Sequence, residues 1–117
     1  MSNSFSPGDD LIFQLESGFG LLRLLAVDGE GADAVWHLLA YDEFFPDVES
    51  AEAALAQRVL PVRNAHIALT NRAFERTPTA RLGNRPVKED ELAAYQTWLN
   101  SDRAVSDRSA LLMLGIR

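Results

Sequence analysis

The chain has 117 residues, of which 47% are hydrophobic and 24% are charged, and its formal net charge is −6 at pH 7. This length and composition predict a single globular domain over residues 1–117 and exclude an intrinsically disordered chain. The sequence contains no cysteine and only two histidines. It therefore excludes a disulfide scaffold, a cysteine-ligated zinc site, an iron–sulfur cluster and a thiol nucleophile, and we expect neither a metal site nor a cofactor.

The first part of the chain predicts three antiparallel strands joined by tight turns. Apolar residues recur at every second position over 11–16, which is typical of a half-buried strand. Two glycines within 17–20 favour a hairpin turn, because glycine adopts positive φ at low cost. The apolar stretches at 20–27 and 34–41 predict two further strands, separated by a glycine-rich turn.

A short helix and a fourth strand follow. Asp47 or Ser50 is a suitable N-cap for a helix over 48–57, which Pro61 prevents from continuing. Alternating apolar residues predict a strand over 62–70.

The last part of the chain has a weaker pattern. Residues 71–85 are polar and predict an irregular segment, in which 73–74 extend the sheet. Acidic residues after Pro86 and apolar residues at helical spacing predict a helix from Val87 or Lys88 to about residue 100. The segment 109–116 fits either a helix or a last strand.

Together these elements predict an α+β domain, built on a small, strongly bent antiparallel sheet or on a partly open SH3-like barrel, with two helices. The N-terminus lacks the features of a secretory signal, and the apolar runs are far shorter than the roughly 20 residues of a membrane-spanning helix. We therefore expect a cytoplasmic protein that does not enter the membrane. The residues expected to be largely buried are Phe13, Leu24, Trp36, Ile67 and Leu99.

Charge is unevenly distributed between the two halves of the chain. Residues 1–57 carry eleven acidic residues and one arginine, for a charge of −10, whereas 58–117 carry six acidic and ten basic residues, for a charge of +4. An acidic half disfavours nucleic acid and attracts a basic partner. The alternative is that the halves neutralise each other within the fold. The arginines available for this are Arg72, Arg76, Arg81 and Arg85.

Two glycine-rich segments resemble ligand loops but lack the required spacing. Gly18 and Gly20 begin a dinucleotide fingerprint, but Arg23 occupies the position of its third glycine. The acidic turn at 28–33 does not follow the pattern of a calcium-binding loop. Both segments are better explained as turns between strands.

The two histidines are the only candidates for acid–base catalysis. His37 and His66 each lie within an apolar strand. A general base also needs a carboxylate partner, for which Asp42 or Glu43 is available. We predict no catalytic residues, because no nucleophile, base and oxyanion donor occur at a recognisable spacing.

An aromatic pair within an acidic segment is the strongest candidate for a binding surface. Of Phe44 and Phe45, we expect one ring to be buried and the other partly exposed. An exposed ring surrounded by carboxylates is typical of an anchor that contacts a basic protein. The predicted partner-binding residues are Asp42, Glu43, Phe44, Phe45, Asp47, Glu49 and Glu52.

The first half of the chain resembles a known family. A start at Gly8-Asp9-Asp10, an apolar strand, a glycine turn and a second strand carrying Arg23 resemble the opening of bacterial immunity protein family twenty-six. The segment 40–46, followed by an acidic helix, is similar to the next part of that family, so the resemblance covers residues 7–57. It implies a non-enzymatic protein that binds and blocks a polymorphic toxin, and it transfers no catalytic residues.

We therefore expect a protein-binding module, in the manner of an immunity protein that blocks a basic toxin domain. Two alternatives stay open. One is a small hydrolase or ligand-binding enzyme that uses His37 or His66, which a deep pocket and a histidine–carboxylate hydrogen bond would favour. The other is a structural homodimer that uses an exposed apolar patch for self-contact.

Overall fold

Five antiparallel strands form an open sheet in the computed structural model, which describes residues 5–115. The strands are β1 (Asp9–Leu15), β2 (Gly18–Asp28), β3 (Val35–Tyr41), β4 (Val62–Thr70) and β5 (Thr79–Asn84). Their order is β4-β3-β2-β1-β5, so four strands form a meander and the fifth returns to the free side of β1. The predictions for residues 1–4 and for Ile116 lie outside the described residues.

Four short helices complete the described chain. They are α1 (Val48–Gln57), α2 (Asn71–Glu75), α3 (Ala93–Leu99), preceded by a 3-10 turn at Glu89–Leu92, and α4 (Ala110–Leu114). The Asp47 carboxylate caps α1 by accepting a hydrogen bond of 2.7 Å from the Ser50 amide. A second 3-10 turn, Gly31–Asp33, lies between β2 and β3.

One face of the sheet carries the larger apolar core. The helices α2 and α4 pack on this face, and the Phe74 ring of α2 stacks on Trp36 with 4.2 Å between ring centroids. The Trp36 indole donates a hydrogen bond of 2.9 Å to Asn71, which satisfies its only polar atom. The buried residues of this core are Leu11, Phe13, Leu22, Leu24, Ala34, Trp36, Leu38, Ala40, Ile67, Leu69, Ala73, Phe74, Ala110 and Leu114.

The opposite face is only partly apolar. The helix α1 covers one end of it, above a smaller core of Ile12, Leu21, Phe45, Ala51, Ala54 and Leu60. Side chains alternate between the two faces of a strand, so Arg23 and His37 lie on this second face, opposite their core neighbours. Arg23 and His37 therefore share one side of the sheet.

The structure confirms the α+β class and the antiparallel sheet. The helix at 48–57 and the strand at 62–70 have the predicted bounds, and β1, β2 and β3 begin and end within two residues of the prediction. The edge strands β4 and β5 do not pair with each other in the described chain, so the sheet stays open, and Ser106 makes a parallel bridge to the free side of β4 at Leu69. Four of the five predicted core residues are buried, whereas Leu99 is half-buried.

The prediction for residues 71–85 is wrong. Residues 73–74 lie in α2 rather than in the sheet, because the Thr70 hydroxyl caps a helical turn by accepting from the Ala73 amide at 3.1 Å. The rest of this segment contains β5, which pairs with β1.

The predicted C-terminal elements are also refined. The helix predicted from residue 87 or 88 to about 100 is a 3-10 turn followed by the shorter helix α3. The segment 109–116, for which helix and strand were open, contains the helix α4.

Gly18 provides a test of how closely the β1–β2 hairpin packs on the loop before α1. A Cβ atom at Gly18 would lie 2.5 Å from the Phe45 carbonyl oxygen, whereas a Cβ at Gly83 would meet no atom within 4 Å. We expect Gly18→Ala to lower the free energy of unfolding by about 1–3 kcal/mol, because a backbone atom cannot yield as a side chain does. Gly83→Ala is the matched control, and urea denaturation of both variants measures the difference. Equal stabilities would contradict the tight contact.

Candidate functional site

Arg23 is the central charged residue of the second face. Its side chain is 1% exposed, and its guanidinium donates to Glu91 at 2.5 and 3.1 Å and to Asp10 at 3.4 Å. It also donates to three backbone carbonyl oxygens at 2.9–3.2 Å, those of Gly8, Arg85 and Pro86. A buried guanidinium is costly unless its donors are satisfied, and these acceptors satisfy them.

A second cation completes this network. The Arg85 guanidinium binds Asp10 through two hydrogen bonds of 2.7 and 2.8 Å and donates to the Tyr41 hydroxyl at 3.3 Å. Burial alone would raise the pKa of Glu91, but hydrogen bonds from Arg23 and from the Lys88 amide hold it below its usual value. The acidic residues at 89–91 were expected to serve only the helix dipole, and Glu91 is instead a partner of the buried arginine.

The two histidines form a hydrogen-bonded chain with Asp28 across three adjacent strands. His37 Nε2 lies 2.8 Å from an Asp28 carboxylate oxygen, and His37 Nδ1 lies 2.9 Å from His66 Nε2. Since the carboxylate accepts, His37 carries its proton on Nε2, and its Nδ1 accepts from His66. The nitrogen without a proton is then His66 Nδ1, at the far end of this hydrogen-bonded chain from Asp28.

Aromatic side chains of α3 cover this chain. The rings of Tyr95 and Trp98 each lie 4.6 Å from that of His37, which is fully buried, and the Tyr95 hydroxyl donates to Asp28 at 3.1 Å. Burial lowers the pKa of His37 despite the opposing effect of Asp28. Burial, and then the charge of His37, lower the pKa of His66 to about 4.

This arrangement favours neutral histidines at pH 7. His66 reaches a cavity of about 480 Å³ beside Trp98, which opens widely to solvent, whereas His37 has no access to it. The carboxylate partner predicted for a histidine, Asp42 or Glu43, is wrong, because both residues follow β3 whereas His37 lies near its start. A neutral, enclosed His37 holds α3 against the sheet. A weakly basic His66 is a poor proton acceptor at neutral pH.

The structure places the predicted partner-binding residues on one exposed segment after β3. Phe44 is 44% exposed, whereas Phe45 is 6% exposed and belongs to the smaller core, as expected for one ring of the pair. Two backbone hydrogen bonds of 2.8 and 2.9 Å link Phe45 to Phe19 of β2. We call the exposed residues of this segment, together with the half-buried Glu43, the acidic surface: Asp42, Glu43, Phe44, Asp47, Glu49 and Glu52.

Part of the acidic surface is neutralised within the fold. Glu43 binds Arg58, which lowers the pKa of Glu43, and Asp42 lies 3.1 Å from Arg63. For Glu49 and Glu52, both exposed, no ion pair is recorded among residues 5–115. Net negative charge therefore remains on α1.

The four arginines that the sequence offered for neutralisation within the fold do not contact the acidic surface. Arg72 pairs with the Asp107 carboxylate, and Arg76 donates to the backbone carbonyl of Asp107 at 2.9 Å. Arg81 and Arg85 lie beside the buried carboxylates of Asp9 and Asp10 at 3.8 and 2.7 Å. The alternative that the two halves neutralise each other therefore holds in part, through Arg81 and Arg85 at the buried carboxylates and through Arg58 and Arg63 at the acidic surface.

Comparisons of the chain with models of protein families, with curated proteins and with solved structures find no match. None of the helices in residues 5–115 is long and apolar enough to cross a membrane. Within the same residues, no group of three or more histidine, aspartate or glutamate side chains is placed to hold a metal ion.

Replacing Arg23 tests the buried network. Arg23→Met keeps an unbranched apolar stem but removes the guanidinium, so the carbonyl oxygens of Arg85 and Pro86 lose the donor from Arg23 and the Glu91 carboxylate loses its cation. We expect a loss of about 3–5 kcal/mol in the free energy of unfolding. The matched control is Arg72→Met, which removes an exposed ion pair and should lower stability much less, because solvent screens that pair. Urea denaturation separates the two results, and equal small losses would show that the network contributes little.

Replacing His66 tests the histidine chain. Its pKa is about 4 in the folded state and 6.5 ordinarily, so between these values the unfolded chain binds a proton that the folded protein excludes. Stability must therefore fall as the pH drops through this window, and His37 contributes with the same sign. We expect His66→Gln to lose less stability on acidification than the wild type. Urea denaturation from neutral pH to about 4 measures this slope, and identical slopes would contradict the chain.

Proposed function

We propose that this protein is a binding module for a basic protein and that the acidic surface is its contact site. The observation that carries the proposal is the exposed Phe44 ring within a segment whose carboxylates are only partly neutralised. Exposed carboxylates increase the association rate of a cationic partner, and a desolvated aromatic ring slows dissociation. Both contributions come from one continuous segment of the chain.

The local structure supports a preorganised site. The backbone before Phe44 continues from β3, and the buried Phe45 with its backbone hydrogen bonds to Phe19 fixes the chain directly after it. The Asp47 cap fixes the start of α1. A segment held in this way loses little conformational entropy on binding, which favours affinity.

The class of partner follows from the resemblance of residues 7–57 to an immunity protein family. We propose a bacterial toxin domain with a basic surface as the partner and inhibition by occlusion as the mechanism. Catalytic residues of this chain are not required for such a role. The structural homodimer is the competing explanation for the exposed Phe44, and the oligomeric state distinguishes the two.

The test uses two charge-reversed variants of this chain and the purified product of the adjacent gene as the partner. Glu49→Lys/Glu52→Lys reverses two carboxylates of the acidic surface for which residues 5–115 provide no ion pair. Glu30→Lys/Asp33→Lys makes the same change in charge in the turn between β2 and β3, at the other end of the sheet. We expect the first variant to associate about tenfold more slowly and the second to match the wild type.

Added salt should weaken binding mainly through the association rate, because exposed charges are screened over about 8–10 Å. Phe44→Ala should instead increase the dissociation rate. Equal slowing by both charge-reversed variants would mean that only net charge matters and would remove the assignment of the site. Light scattering that shows a dimer dispersed by Phe44→Ala would favour the homodimer.

A hydrolase is the second candidate, and the hydrogen-bonded Asp28–His37–His66 chain is the observation that favours it. Its test is turnover of simple ester and phosphoester substrates by the wild type and by His66→Gln. Turnover that is lost in this variant, while its fold at neutral pH is retained, would replace the binding module by an enzyme.

A further inference from the structure

A cleft crosses the second face of the sheet between α1 and the segment 85–94. Its volume is about 860 Å³, which lies within the range of sites for small organic molecules. The side chains of Leu39 and Tyr41 on β3 form its floor, because they lie on the second face of the sheet, between the parts that α1 and α3 cover. None of the acidic-surface residues lines the cleft, although Arg58 of the lining pairs with Glu43 of that surface.

Most of the cleft wall is apolar. Leu55 and Leu60 line it on the side of α1, and Val87 and Ala94 line it on the other side. These residues are half-exposed or buried, so an apolar molecule placed here would remove their remaining surface from water. This wall favours a ligand with a hydrocarbon body.

Most polar side chains of the cleft are hydrogen-bond donors, and the Asp90 carboxylate is an acceptor beside them. Arg85 uses Nε and Nη2 for Asp10 and Tyr41, and no acceptor is recorded in the described chain for its Nη1. The same holds for the ammonium group of Lys88 and for the hydrogen of the Tyr41 hydroxyl, which accepts from Arg85. Three donors of one cleft are therefore available to a ligand.

Cations outnumber acids among the side chains that line the cleft. Four cations line it, Arg23, Arg58, Arg85 and Lys88, against two acids, Asp90 and Glu91. Glu91 is already bound by Arg23, and the cations Arg58 and Arg85 are partly neutralised by carboxylates outside the lining. Lys88 and Asp90 are left as the lining charges for which residues 5–115 provide no ion pair, and Lys88 is the cation of the two.

We propose that this cleft binds a small amphipathic carboxylate, whose apolar chain lies along the leucine and valine wall and whose carboxylate accepts from Lys88, Arg85 and Tyr41. The carboxylate accepts several hydrogen bonds at once, which matches donors on two sides of the cleft. The hydrocarbon chain supplies affinity through burial, and the charged end sets its direction. This site is independent of the proposed protein partner.

Isothermal titration of the full chain with three probes tests the proposal. Decanoate carries both features, decanol lacks the charge, and acetate lacks the chain. We expect decanoate to bind at least about tenfold more tightly than either of the others, since a hydrogen bond to a charged group contributes about 1.5–3 kcal/mol. Equal affinities for decanoate and decanol, or no heat with decanoate below its micelle concentration, would overturn the proposal.

Three variants locate the bound molecule. Lys88→Gln should weaken decanoate about tenfold and leave decanol unchanged. Ala65→Leu places a larger side chain in the cleft from an exposed position of β4 and should abolish binding without loss of stability. Arg108→Gln removes an exposed cation that does not line this cleft and should bind as the wild type does. Unchanged affinity in both cleft variants would place the ligand elsewhere, and urea denaturation confirms that each variant is folded.

Discussion

The buried guanidinium of Arg23 is the constraint on which the second face of the sheet depends. It lies on β2, yet its acceptors come from the start of β1 and from the segment 85–91, which is more than sixty residues away. A buried charge is tolerated only when its acceptors are in place, so each of these segments is fixed relative to β2. This network fixes the chain between β5 and α3 and so determines where α3 reaches the sheet.

The position of α3 creates the two other features of this face. Tyr95 and Trp98 pack on the histidine chain because the 85–91 segment directs α3 to the strand ends that carry Asp28 and His37. At the opposite end of the face, α1 covers the smaller apolar core. The cleft is the space that remains between these two covers, with Arg23 itself at its base. The Arg23 network therefore accounts both for the position of α3 over the histidine chain and for the cleft.

Sequence patterns predicted the elements whose signals are local. The helix α1 has its cap, acidic first turn and terminating proline within fifteen residues, and β4 shows plain alternation. The strand β5 has the sequence Thr-Ala-Arg-Leu-Gly-Asn, which has little intrinsic preference for a strand. Its structure comes from pairing with β1, which lies about seventy residues earlier in the chain. Tertiary contacts that supply the structure of a segment are not visible in its own sequence.

The same distinction separates the parts of the site. The acidic surface was predictable because its residues are adjacent in the chain, whereas the partner of His37 was assigned by proximity in sequence and is wrong. Antiparallel pairing places Asp28 opposite Val35 and therefore two positions from His37 on the same face. The signal that was present in the sequence was a charged residue, Arg23, and an imidazole, His37, at inward positions of apolar strands, since such residues require buried partners.

Some side chains of the acidic surface and of the cleft contribute to the stability of the fold, whereas others do not. Asp47 caps α1 and Glu49 lies in its first turn, where the helix dipole stabilises a negative charge, so these acids contribute to stability without a partner. Glu52 lies beyond that turn, so the helix dipole stabilises its charge less. The Phe44 ring is exposed, and the burial of Phe45 does not depend on it. On the cleft, the hydrogen bonds of Arg85 and Glu91 are explained by the Arg23 network, but the ammonium group of Lys88 is not. The groups that the fold does not use, Phe44 and Glu52 on one surface and Lys88 in the cleft, are therefore the ones whose replacement separates binding from stability.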